Sequence, residues 1–328
     1  MSRINLFQKI LMVIVLGLIV IAISPRPKYK GENDFLKEDD ILVMSHGGGK
    51  GVYPGNTFSA FEYSFTLGVD VLEMDIHMTQ DGILVTRHGE NETGNIRSMS
   101  NCDTVLWKEE YQNIKDTCNF GYNFQDDEGE YPYRDMTSEQ WIEAGVYLTT
   151  LEELFVAFGD DILYVIEIKA DADAPRNDTA DALYTLIDEY DLFDEVTVAT
   201  SFDDISKYIH DEYPDLLLSA SYDEVQRMVI HSYTLTGVFY RPGNYSSLQI
   251  PMSSEVPVIN ELDLTTKHLI EEAHRHNMAV HYWTINDYDT MVYLISQGCD
   301  GIITDYPELL MQAIEDYNSV MAIEGDLE

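Results

Sequence analysis

The 328-residue chain has little positive charge: 19 lysines and arginines stand against 59 aspartates and glutamates, a formal net charge of −40. No local basic patch interrupts the excess, which argues against nucleic acid as a partner. Cysteine is scarce too, with three in all, and does little to settle the redox compartment. Cys102 and Cys118 lie 16 positions apart in a polar, irregular stretch, where an oxidising compartment would permit a disulfide and a reducing one would leave two thiols. Cys299, in apolar sequence, reads as a small buried hydrophobe. Long apolar runs are missing beyond residue 23. Before it, Ile10 to Ile23 (ILMVIVLGLIVIAI) carry no polar side chain and follow Arg3 and Lys9. Residues 1–30 therefore read as a membrane anchor or a signal segment. A small-x-small cleavage site is lacking, since Ala22-Ile23-Ser24 runs into Pro25-Arg26-Pro27, which favours an uncleaved anchor. Basic residues flank the run on both sides and do not orient it; the expectation is a catalytic domain outside the cytoplasm, secreted if the segment is cleaved.

What the chain does have is apolar content, 45% of residues, enough for one large core over residues 31–328. From residue 41 short apolar runs alternate with longer amphipathic ones, the pattern of βα units. The strand candidates are Ile41–Ser45, Val71–His77, Ile83–Arg87, Ile162–Lys169, Val196–Thr200, Leu216–Ala220, Gly237–Tyr240, Met278–Trp283 and Gly301–Thr304. Nine candidates for eight staves predict an α/β fold of the TIM-type (β/α)8 barrel, whose usual size is roughly 250 residues. An open doubly wound sheet is the alternative. Residues from Asn91 to about Tyr133 turn polar and aromatic with neither period. They read as an insertion after the third strand, either roofing the site or elaborating the surface. The acidic stretch from Glu315 to Glu328 reads as a closing helix.

In GVDVLEMDIHMTQDG, residues 68–82, a period of two puts Leu72, Met74, Ile76 and Met78 on one side and Val71, Glu73, Asp75 and His77 on the other. A parallel barrel strand has no solvated face, so Glu73 and Asp75 should project inward near the C-terminal mouth, where such barrels carry their active sites. Two anions this close call for a cation or a shared proton. ILYVIEIKA, residues 162–170, puts Glu167 and Lys169 on one face in the same way. Three carboxylates from two strands make an oxygen-only site suited to Ca²⁺ or Mg²⁺ and poor for zinc. Lys169 is either the ion-pair partner of Glu167 or a cation for a substrate phosphate. His46 and His88, each at a strand end and each followed by glycine, can serve as a general acid and a general base. His77 lies further along its strand than the acids and reads as a supporting residue.

The segments SHGGG…GNT, LEMDIHMTQDG, VTRHG, IEIK, YWTIN and GCDGIITDYP, in this order, resemble the glycerophosphodiester phosphodiesterases. The resemblance covers nearly all of residues 41–314 outside the insertion. It implies a TIM barrel that hydrolyses glycerophosphodiesters to glycerol 3-phosphate and an alcohol with one divalent cation. Carried over by position, it implies Glu73, Asp75 and Glu167 as metal ligands, His46 and His88 as the acid–base pair, Lys169 as the phosphate-binding lysine and Trp283 as an aromatic of the pocket wall. Three positions depart from the pattern. The family's arginine after the first histidine, glutamate before the Asn-Thr pair and aspartate after the second histidine are here Gly47, Gly55 and Gly89. Losing the arginine removes a bidentate phosphate clamp; Lys50, Arg87 and Arg241 are candidates to replace it. The loop HGGGKG lacks the G-x-x-x-x-G-K-[ST] spacing of a nucleotide cradle, but its glycines would let backbone N–H groups approach a phosphate with His46 at the entrance.

The expectation is a membrane-anchored, metal-dependent phosphodiesterase acting on a glycerophosphodiester or a lysolipid. A lysophospholipase D keeps the same chemistry on a lipid substrate, and a non-catalytic phosphoester-binding barrel is the rival from another class. A glycoside hydrolase with paired carboxylates explains neither the histidines nor Lys169. Nothing in the sequence speaks to oligomeric state.

Overall fold

The computed structural model describes residues 5–23, 33–36, 40–90, 94–169, 174–234, 236–243, 245–256 and 260–325. Residues 1–4 and 24–30 of the expected N-terminal segment, 91–93 of the insertion and 326–328 of the tail lie outside them. In chain order the strands are β1 (Leu42–His46), β2 (Val71–Met78), β3 (Leu84–Thr86), β4 (Leu163–Ile168), β5 (Val196–Ala199), β6 (Leu217–Ser219), β7 (Tyr245–Ile250), β8 (Ser253–Val256), β9 (Asn260–Asp263), β10 (Ala279–Tyr282) and β11 (Gly301–Thr304). Eight of them pair in parallel in the order β1-β11-β10-β7-β6-β5-β4-β2, and β2 returns to β1, closing a TIM barrel. β3 runs antiparallel to β2, outside the ring, and β8 and β9 form a separate hairpin.

Alternation along the strands sorts two cores. Val43, Leu72, Met74, Ile76, Ile166, Val198, Leu248 and Ile302 face outward into the layer beneath the helices. Leu42, Met44, Val71, Val165, Ala199, Ala279 and Ile303 face inward, and Phe35 joins them where the strands begin. Both faces of each barrel stave are covered, so the sequence must supply apolar residues on both sides except where chemistry intrudes. The N-terminal end is closed by the chain itself. Asn33 Nδ2 donates to the carbonyls of Ser246 and Asn277, each at 2.8 Å, and His281 Nε2 donates to the carbonyl of Phe35 at 2.9 Å. Substrate access is therefore left to the opposite end.

Two strand expectations are corrected. Ile83–Arg87 is a strand but not a stave; it folds back on β2 as the antiparallel β3. Gly237–Tyr240 is a single 3-10 turn over Gly237–Phe239, and the sixth stave in chain order is Tyr245–Ile250. Its sequence, YSSLQI, sends Leu248 and Ile250 outward but puts buried Ser247 and half-buried Gln249 on the other face, so hydrophobicity alone does not mark it.

The stretch after β3 is longer than its polar composition suggests and carries its own small core of Val85, Ile96, Leu106, Ile114, Phe120 and Leu148. Helices Tyr111–Thr117 and Ser138–Glu143 belong to it, and Cys102 and Cys118 form a disulfide across it. Cys299 is free and buried. The N-terminal helix Leu6–Ile23 exposes every one of its described side chains, those at 14, 18 and 21–23 lying outside the described set. Among the described residues no helix is long and apolar enough to cross a membrane.

Candidate active site

Strand register assembles the site. β1 and β2 pair with His46 opposite Glu73, and β2 and β4 pair with Asp75 opposite Glu167. The inward face that carries Val71 and Val165 deeper in the barrel thus delivers acids at its C-terminal end. Glu73, Asp75 and Glu167 each offer an oxygen, and these oxygens lie within 4.8 Å of one another. Gly47 N–H donates to Glu73 Oε2 at 3.0 Å, Asn56 Nδ2 to Asp75 Oδ2 at 3.2 Å, and Lys169 Nζ to Glu167 Oε1 at 3.0 Å. Lys169 Nζ is also 3.9 Å from Asp75 Oδ1. Burial pushes the Glu73 carboxyl up, helped by Asp75 and opposed chiefly by His46. Burial likewise raises Glu167, with Asp75 and Glu73 adding to it and Lys169 opposing. Two buried acids and a half-buried third, with so little compensation, fit a hard divalent cation, and an all-oxygen set suits Ca²⁺ or Mg²⁺.

His46 stands at the end of β1. Its Nδ1 donates to Asp305 Oδ1 at 2.7 Å, and its Nε2 lies 4.0 Å from Glu73 Oε2. Burial lowers the pKa of the ring, but Glu73 and Asp305 outweigh it and hold it above the ordinary value. His88 follows β3 and reaches the same cleft because that strand doubles back: Arg87 N–H donates to the carbonyl of Asp75 at 2.7 Å. His88 Nδ1 donates to the carbonyl of Gly89 at 2.8 Å, which leaves Nε2 as the acceptor nitrogen. His77 is buried further along β2, and its Nε2 donates to the carbonyl of His88 at 3.1 Å. Desolvation depresses its pKa to about 4, so it stays neutral and braces the loop that carries His88.

His46, Lys50, Glu73, Asp75, His88, Glu167, Lys169 and Trp283 all line one cleft of about 840 Å³ at the C-terminal ends of the strands. The sequence-derived site residues are brought together. Lys50 Nζ lies 3.3 Å from His46 Nε2 and 3.7 Å from Asp305 Oδ1, and Trp283 is 46% exposed at the rim. Neither Arg87 nor Arg241 lines the cleft. Arg87 is buried against Phe120 and donates to the carbonyls of Gly55 and Met99, while Arg241 donates to the carbonyl of Tyr240. The far wall is largely apolar: Tyr222, Val225 and Val229 from the helix Tyr222–Tyr233, with Pro251, Leu262 and Leu264 in and beside the β8–β9 hairpin, while Gln226 and Glu255 add polar groups to it.

The three glycine departures have local causes. Gly47 and Gly89 adopt φ of 53° and 79°, which a side chain opposes. A Cβ at residue 55 would stand 2.4 Å from the Cβ of Lys50, so glycine there and lysine at 50 are one arrangement. Sequence reasoning missed Asn56, Asn286 and Asp305. For Asp305 a signal existed: Gly301, Ile303 and Asp305 continue the inward alternation of β11, as Glu73 and Asp75 do on β2.

Fold and cleft together define a TIM-barrel enzyme with carboxylates, histidines and lysines gathered at the strand C-termini. The chain belongs to the glycerophosphoryl diester phosphodiesterase family, whose model matches residues 46–309. That family hydrolyses glycerophosphodiesters and is metal-dependent, and the acidic cluster here could bind a metal. A glycerophosphodiester phosphodiesterase of Caldanaerobacter subterraneus subsp. tengcongensis is 27% identical, over 83% of this chain and 97% of that one. A lysophospholipase D of Rattus norvegicus is 22% identical over 84% of this chain and 87% of its own length. Among solved structures, a phosphodiesterase of Oleispira antarctica in complex with the product sn-glycerol-3-phosphate superposes with a TM-score of 0.61. It is 18% identical and covers 86% of this chain and 98% of its own.

Burial raises the folded-state pKa of Glu73 above its ordinary 4.5, so the carboxyl costs the ion-free fold stability once the unfolded chain ionises, and the cost vanishes below that pH. In chelator, Glu73→Gln should therefore gain on the wild type as pH rises from 5 to 8, read by thermal denaturation at each pH. Saturating Ca²⁺ should reverse the order, stabilising the wild type by about 2.7 kcal/mol at a hundredfold excess over Kd and the variant by much less. A variant that responds to Ca²⁺ as the wild type does would remove Glu73 from the ligand set.

Proposed function

We propose that this protein hydrolyses glycerophosphodiesters to glycerol 3-phosphate and an alcohol by acid–base catalysis from His46 and His88 beside a divalent cation. The observation that carries the reading is the convergence of Glu73, Asp75 and Glu167 in one cleft with both histidines. When bound, the cation supplies positive charge that draws electron density off the phosphoryl oxygens. Lys169 and Lys50 hold the phosphate from the flanks as point charges, in place of the missing arginine fork. The expected glycine cradle is turned elsewhere: Gly48 and Gly49 face the helix Phe58–Leu67, where a Cβ would stand 2.7 Å from the backbone of Ala60 and Phe61 and 3.2 Å from Tyr63, respectively. One histidine Nε2 takes the proton of the nucleophile, a water or the neighbouring glycerol hydroxyl, and the other ring protonates the leaving alkoxide. His77 keeps the His88 loop in place without changing charge.

Glycerophosphocholine hydrolysis should require Ca²⁺, Mg²⁺ or Mn²⁺ and stop in chelator. His46→Ala and His88→Ala should each lower turnover by about 10² to 10⁴. Turnover like that of the wild type from both variants would end the acid–base assignment, and an inactive wild type in all three cations would favour a phosphoester-binding barrel.

The apolar far wall favours a second reading, a lysophospholipase D whose acyl chain lies along Tyr222, Val225, Val229 and Leu264. A lysophosphatidylcholine kcat/KM well above that of glycerophosphocholine, lost selectively in Val229→Asp, is the expected outcome. Equal losses on both substrates would count against it.

The N-terminal helix supports a membrane attachment, because described apolar side chains such as Leu6, Phe7, Val13 and Leu16 are 61–74% exposed and need a cover. The catalytic domain then lies outside the cytoplasm, a placement supported by the Cys102–Cys118 disulfide. The full chain should sediment with membranes and a chain lacking residues 1–31 should not. Co-sedimentation of both would assign the attachment elsewhere.

A further inference from the structure

Asp305, one residue beyond β11, turns both carboxylate oxygens toward the cleft wall. Oδ1 accepts from His46 Nδ1 at 2.7 Å and lies 3.7 Å from Lys50 Nζ, while Oδ2 accepts from Asn286 Nδ2 at 2.8 Å. Asn286 is fixed in turn, its Oδ1 accepting from Asp305 N–H at 2.9 Å and from Thr304 Oγ1 at 3.1 Å. The helix Pro307–Gly325 follows at once, yet the carboxylate does not cap it; the Tyr306 N–H donates instead to Thr304 Oγ1 at 3.1 Å. The main chain is held separately, since the Asp305 carbonyl accepts from Gly51 N–H at 3.1 Å. Neither the loop nor the helix needs this carboxylate, and its shortest contact is with the histidine ring.

We propose that Asp305 is the positioning residue for His46: its carboxylate holds the ring proton on Nδ1 and so presents Nε2 as the nitrogen that exchanges a proton with substrate. The inference rests on the reading of His46 as a proton-transfer group. Two further contacts agree with it. Nε2 is the nitrogen on the acid-cluster side, 4.0 Å from Glu73 Oε2. Lys50 Nζ, an obligate donor, stands 3.3 Å from that same Nε2, a contact that the neutral ring with its proton on Nδ1 accepts. Without Asp305 the ring keeps Lys50 at Nε2 and, at Nδ1, only the longer contact to Thr284 Oγ1 at 3.4 Å, and part of the population would turn about χ2 or carry its proton on the wrong nitrogen.

Asp305→Asn keeps the shape and removes the charge. With glycerophosphocholine and saturating Ca²⁺, its kcat should fall on the order of 10² to 10⁴-fold while KM stays within about threefold. Calcium affinity should be unchanged. In a His46→Ala background the same substitution should alter the residual kcat by less than about twofold, because its effect passes through the ring. Asn286→Ala, which loosens the carboxylate, should cost roughly 10 to 100-fold in kcat and repeats both comparisons if Asp305→Asn fails to fold. A single variant with near-wild-type kcat, or an undiminished loss in the His46→Ala background, overturns the positioning role. If the wild type is inactive, or His46→Ala matches it, the phosphodiesterase reading of His46 falls instead.

Discussion

Repulsion among Glu73, Asp75 and Glu167, whose oxygens lie within 4.8 Å of one another in a desolvated cleft, is the interaction around which the rest is arranged. Flexible side chains would relieve it by spreading apart. Here the acids are fixed by strand pairing, β2 against β1 on one side and β4 on the other, so moving them means breaking the barrel. Each carboxylate has a close local donor, a backbone N–H from Gly47, the amide of Asn56 or the ammonium of Lys169, which also stands 3.9 Å from Asp75. That support orients the oxygens without cancelling their charge, and the remaining negative potential is what a divalent cation would neutralise.

The same constraint accounts for the loop His46–Thr57. Gly47 donates to Glu73 with a left-handed backbone, and a Cβ there would stand 3.1 Å from Asn56 Nδ2, the group that steadies Asp75. An arginine at residue 47 would press on the donor that orients one of the acids. Gly55, towards the other end of the loop, leaves room for Lys50, which places a positive charge beside His46. The departures from the family pattern are thus linked, with cation, backbone donor and amide sharing one small volume.

The cleft is divided in chemistry. Acids, histidines and lysines come from β1, β2, β4 and the β3 return, whereas the apolar wall comes from the helix after β6 and the segment around the β8–β9 hairpin. The reacting phosphate and the group attached to it are therefore handled by different parts of the chain. Variation in the wall can change what is bound without disturbing the strands that hold the acids.

The inward acids on β2 and β4 were legible in the sequence because a period of two on a strand buried on both faces leaves a carboxylate no other explanation. The barrel class was legible for a similar reason, and so were both histidines at their strand ends. The stave Tyr245–Ile250 was not, since Ser247 and Gln249 replace the apolar signal on its inward face. Nor was the geometry of His88: β3 looks like any stave until its antiparallel return is seen. Which residue types face inward follows from local alternation. That Asp305 meets His46 across 259 positions, and that Cys102 pairs with Cys118, is set by the folded chain. Those contacts arise from closing the ring and packing the insertion, and no local pattern encodes where a chain meets itself.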